Sequence, residues 1–106
     1  MRVSGTNLSM VRGDTESITV RCAQAPFQSG DTVYFTVRED AESDIALQLT
    51  ATEFPDEEAV IAISHDSTEG MDFGDYVYDI QVTRADGTVT TLVEKSKFTL
   101  REEVTY

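Results

Sequence analysis

Apolar and polar residues alternate one by one over most of the chain. Ile18, Val20 and Cys22 alternate with Ser17, Thr19 and Arg21. Val33, Phe35 and Val37 alternate with Thr32, Tyr34, Thr36 and Arg38. Ile45, Leu47 and Leu49 oppose Ala46, Gln48 and Thr50, and Ala59, Ile61 and Ile63 oppose Val60, Ala62 and Ser64. Tyr76, Tyr78, Ile80 and Val82 share one face, with Asp79, Gln81 and Thr83 on the other. A period of two makes a strand with one dry and one wet face. Shorter runs at Leu8–Val11, Thr88–Val93 and Lys97–Arg101 read as further strands.

Turn chemistry separates these runs. Gly13-Asp14, Ser29-Gly30-Asp31 and Phe54-Pro55-Asp56 interrupt the alternation, and Asp86-Gly87 is a hairpin signal. Glu39–Asp44 is a polar loop, and His65–Gly74 is polar with room for one short helical turn. Leu47, Leu49 and Ala51 are the best helical candidates, but alternation explains them more simply. Seven or eight short strands with a turn every ten residues or so predict an all-β fold, an immunoglobulin-like antiparallel β-sandwich.

One local motif sharpens this expectation. Asp72-Phe73-Gly74-Asp75-Tyr76 matches the spacing of a tyrosine corner, formed by Asp72, Gly74 and Tyr76. In such a corner the hydroxyl reaches back to the backbone just upstream and pins the strand's entry. Tyr78 stands where an antibody-type domain has a cysteine, and the chain has no tryptophan. An inter-sheet disulfide is therefore not expected.

Composition adds constraints. The 106 residues fit one domain, 1–106. A single cysteine, Cys22, excludes a disulfide scaffold and points to a reducing compartment. Twenty acidic against 8 basic side chains give a formal net charge of -12. Such a surface repels nucleic-acid backbones and anionic membranes, so neither is an expected partner. No run is apolar enough to span a bilayer, and the first seven residues lack the apolar core of a signal peptide.

Candidate chemistry is sparse. Arg12-Gly13-Asp14 spells an adhesion tripeptide but reads more simply as a turn, and the glycosylation sequon Asn7-Leu8-Ser9 carries no meaning in a cytoplasmic or bacterial setting. Asp66, Glu69, Asp72 and Asp75 crowd one segment, yet they do not follow a calcium-loop spacing. Glu39–Asp44 and Asp56-Glu57-Glu58 read as solvated loops or edge guards. His65 and Cys22, each the sole residue of its type, lack an orienting third group and any zinc spacing. The glycines fall one per turn and form no phosphate loop. No catalytic residue, cofactor-binding residue, metal ligand or cofactor is expected.

The order of strand and turn signatures resembles small phage and prophage virion proteins, in particular the immunoglobulin-like N-terminal domain of phage baseplate upper proteins. The resemblance rests on Val11-Arg12-Gly13-Asp14-Thr15, Gly30-Asp31-Thr32-Val33-Tyr34-Phe35-Thr36-Val37, Gly74-Asp75-Tyr76-Val77-Tyr78-Asp79-Ile80 and Asp86-Gly87-Thr88-Val89-Thr90-Thr91-Leu92. Lys97-Phe98-Thr99-Leu100 and Glu103-Val104-Thr105 complete it. It implies a non-enzymatic structural protein of a tail or baseplate, located in the virion or, during assembly, in the bacterial cytoplasm. The implied partners are other tail or baseplate proteins, with a homo-oligomer as a further expectation. Exposed strand edges would dock partners, and Tyr34 is the candidate interface aromatic. The alternative is a carbohydrate- or cell-surface-binding sandwich, assisted by calcium at the acidic segment. A cysteine hydrolase built on Cys22 and His65 is the third reading.

Overall fold

Alternation in sequence becomes alternation in burial. In the strand Thr32–Arg38, Val33, Phe35 and Val37 are fully buried, while the residues between them stay half-exposed. The computed structural model describes residues 1–102. Its strands are β1 (Arg2–Ser4), β2 (Asn7–Val11), β3 (Glu16–Val20), β4 (Thr32–Arg38), β5 (Ile45–Ala51), β6 (Ala59–Ile63), β7 (Gly74–Thr83) and β8 (Val89–Arg101). A 3-10 turn at Pro55–Glu57 precedes β6, and a short helix α1 (His65–Glu69) precedes β7. Glu103-Val104-Thr105 lies outside the described residues.

The strands form an all-β sandwich. The large sheet runs β1-β2-β8-β7-β4-β5, and β3 and β6 pair as the small one. Ala59, Ile61 and Ile63 of β6, with Val20 of β3, close over Met10, Phe35, Tyr78, Ile80, Phe98 and Leu100. Phe35 stacks on Tyr78 at 5.2 Å between ring centres and meets Phe98 edge-on at 5.8 Å. Offset and edge-to-face pairs are the favourable arrangements for aromatic rings.

Three features differ from the expectation. β2 pairs with β8 in parallel, so the large sheet is mixed rather than wholly antiparallel. Parallel neighbours need a long connection, and here β3 through β7 supply it. The runs 88–93 and 97–101 are one strand, β8, because a bulge absorbs the polar stretch between them. β1 was not expected. It forms a hairpin with β2 around Gly5, at φ 61°.

β7 enters the sheet through Gly74, whose φ of 131° favours glycine. The Tyr76 hydroxyl donates to the Asp72 carbonyl at 2.8 Å. Burial, followed by the charges of Asp72 and Glu39, raises the Tyr76 pKa. Tyr78, raised by burial, donates its hydroxyl to the Thr6 carbonyl. Tyr76→Phe removes one hydrogen bond and little apolar contact. It is expected to lower unfolding stability by about 1 kcal/mol in urea titration, with the β-sheet dichroism unchanged.

Candidate functional site

Among the described residues, potential ligand side chains group on α1. The sequence starts this helix at Ser64, whose backbone N–H donates to Ser67 Oγ at 3.1 Å. Five residues make too short a helix to stand alone, so tertiary contacts fix it. Thr68 is fully buried and accepts the Gly13 N–H at 2.8 Å. Arg12 donates to the Met71 carbonyl at 3.2 Å, and its guanidinium lies 4.0 Å from the Phe73 ring centre. The Arg12-Gly13-Asp14 turn is thus stapled against α1 rather than presented on a loop tip.

His65 sits at the centre of this contact. Its Nδ1 lies 2.6 Å from the Gly13 carbonyl oxygen. A carbonyl only accepts, so Nδ1 carries the proton and donates. Gly13 has φ 85°, and a side chain there would meet the imidazole at 3.5 Å. On the other side of the ring, Nε2 is 2.8 Å from Glu69 Oε2, one helical turn on. Asp66 completes the group: ligand atoms of His65, Asp66 and Glu69 all lie within 4.8 Å of one another, and all three residues are exposed.

The other residues singled out in the sequence lie elsewhere. Asp72 offers its carbonyl to Tyr76. Asp75 accepts from Thr99 Oγ1 at 2.8 Å and sits 3.6 Å from Lys97 Nζ. The four acidic residues of this segment therefore do not converge as one calcium loop. Cys22 lies beyond the far end of β3, with Arg84 Nη2 3.9 Å from its sulfur. Gly13 and His65 lie at the other end of that strand, whose five residues span about 16 Å. Cys22 and His65 form no dyad. Tyr34 is half-buried on the outward face of β4, a strand flanked by β5 and β7 rather than a sheet edge. Glu58 is paired with Arg21 at 2.8 Å, which pulls its carboxyl below the ordinary range.

Sequence reasoning missed the role of Gly13 as acceptor for His65. The two are 52 residues apart, and no local pattern joins them. His65 and Glu69 at i and i+4 were visible, but only once a helix was placed there.

No known protein family and no curated protein matches the chain. Among solved structures it is similar to the crystal structure of CopC from Methylosinus trichosporium OB3b, with a TM-score of 0.52. The two are 14% identical, over 94% of this chain and 89% of that one. The likeness is one of fold, and it agrees with the β-sandwich read from the alternation. It also corrects the functional expectation: CopC is not a phage structural protein, so the assignment to tail or baseplate assembly falls. The physical reason is that strand and turn signatures report a sandwich, and sandwiches serve unrelated functions. Among the described residues, no helix is long and apolar enough to cross a membrane.

Proposed function

We propose that the chain is a non-catalytic binding sandwich whose α1 end holds a divalent transition-metal ion. The observation that carries this reading is the Gly13 carbonyl on His65 Nδ1. Metal-ligating histidines typically donate their second ring nitrogen to such an acceptor, which fixes the tautomer and directs the other nitrogen at the metal. Here Nε2 is directed toward the Glu69 carboxylate, with Asp66 beside it. Two donors on one ion at ~2.1 Å each stand at most ~4.2 Å apart. The present spread of 4.8 Å therefore closes with small rotations of exposed side chains. One imidazole with two carboxylates suits Cu(II) above Ni(II) or Zn(II). The strongly acidic surface raises the local cation concentration. The fold likeness to CopC is compatible with this reading but supplies no ligand residue.

Calorimetric titration of the folded protein with Cu(II) is expected to show one site. The electron paramagnetic resonance spectrum should carry the splitting of one imidazole nitrogen. His65→Ala abolishes both signals, and Glu69→Gln weakens binding about tenfold. Equal Cu(II) binding by wild type and His65→Ala would overturn the proposal.

A further inference from the structure

The outer face of the large sheet carries a second concave feature, outside the α1 cluster. Strands β4, β7 and β8 and the loop after β4 border an open recess of about 130 Å³ whose lining includes Thr36, Arg38, Ala41, Val77, Asp79 and Lys95. Two ladder irregularities shape it. The β4–β5 register shifts between Val37 and Arg38, leaving Ala46 unpaired. In the β7–β8 ladder Tyr78 faces Ser96 and Ile80 faces Val93, so Glu94 and Lys95 share the position opposite Asp79. Bulges re-aim side chains and recur beside functional sites. This one places Lys95 at the recess with Asp79, while Thr36 lies directly across from Asp79 on β4.

The charges here are not consumed within the protein. Arg38 Nη1 donates to the Ser43 carbonyl at 2.7 Å, which orients a guanidinium that has five N–H donors in all. Among the described residues, the side chains of Lys95 and Asp79 make no hydrogen bond or ion pair. Gln48 Nε2 donates to Thr36 Oγ1 at 3.1 Å, so the Thr36 hydroxyl proton is available to an incoming acceptor. Arg38 and Lys95 thus share the recess with the Asp79 carboxylate, with Glu94 beside Lys95 in the bulge. Val77 and Ala41 supply apolar wall.

We propose that this recess binds a small α-amino acid bearing a second carboxylate. Its carboxylates meet Arg38 and Lys95, the Thr36 hydroxyl donates to one of them, and its ammonium meets Asp79. The methylenes between lie on Val77. Arginine's fork suits a carboxylate held in two contacts, and one site that reads both charge signs discriminates against simple anions.

The test is an amide chemical-shift titration of the His65→Ala protein, so that its outcome is independent of metal binding at α1. L-Glutamate at millimolar concentration is expected to shift the amides of Thr36, Arg38, Asp79 and Lys95. Glutarate, which lacks the ammonium, binds about tenfold more weakly. Asp79→Asn removes that preference, and Arg38→Met or Lys95→Met weakens glutamate binding about tenfold. Absence of localised shifts with glutamate would overturn the proposal, as would shifts that persist unchanged in the Arg38→Met, Lys95→Met double variant.

Discussion

Phe35→Ala is expected to lower the unfolding free energy by about 3–5 kcal/mol. The ring is fully buried at the centre of the large sheet. It stacks on Tyr78 and stands edge-on to Phe98, which is also fully buried. Truncation removes the transfer free energy of the ring and leaves a cavity that these neighbours cannot fill without leaving their own contacts. A domain of this kind has about 5–15 kcal/mol of stability in total, so the variant sits near the edge of folding. In urea titration the midpoint should fall with little change in slope. Tyr34→Ala is the control, one position away on the opposite face, where the side chain is half-exposed. Its expected loss is about 1 kcal/mol. Equal losses at the two positions would mean that the alternation does not divide core from surface on this strand.

That division was legible because β4, β6 and β7 each bury one face. Ala59, Ile61 and Ile63 are fully buried, while Val60 between them is 45% exposed. β1 was illegible for the complementary reason. It is an edge strand with every residue exposed, and its one branched apolar residue, Val3, is 61% exposed. A strand that buries no face leaves no periodic signal. β8 was divided in two because Glu94-Lys95-Ser96 reads as a polar break. In three dimensions the extra residue is accommodated in a bulge opposite Asp79, and pairing continues on both sides.

The candidate sites were less legible than the fold, since both are made by pairing rather than by local pattern. Arg38, Asp79 and Lys95 come from three strands, and only the register of β4, β7 and β8 brings them together. His65 is oriented by a carbonyl on the turn between β2 and β3. The expectation of a tail or baseplate role fell for a related reason. Its residues were those that build strands and turns, and these are shared by any sandwich of similar strand order.

Arg84→Ala is the second large effect, and its pH dependence identifies the cause. Arg84 Nη1 donates to Asp31 Oδ2 at 2.8 Å, while Nη2 donates to the Ala25 carbonyl at 2.7 Å. The guanidinium also lies 5.4 Å from the ring centre of the buried Phe27. One side chain thus ties the loop between β3 and β4 to the end of β7. Gly30 permits the approach, since a Cβ there would stand 2.9 Å from that of Ala85. Asp31 is only 5% exposed, and without Arg84 its charge keeps only the N–H groups of Gln28 and Ala85. Removing one member of a buried pair typically costs about 3–5 kcal/mol. Arg84 retains some solvent contact, so the loss near neutral pH is expected to fall short of that of a fully buried pair. The Asp31 carboxyl is held below its ordinary value, first by the Gln28 N–H and then by Arg84 and the Ala85 N–H, against the opposing effect of burial. A carboxyl depressed in the folded state stabilises that state above its unfolded pKa of about 3.9, and the contribution is lost as pH falls through the lower folded value. Arg84→Ala raises that folded value. The difference in stability between wild type and variant should therefore be full near neutral pH and shrink toward about pH 3 and below. Urea midpoints of both proteins across that range decide the matter. A gap that stays constant in acid would assign the loss to the packing of Arg84 on Phe27 and the loop carbonyls instead of to its charge.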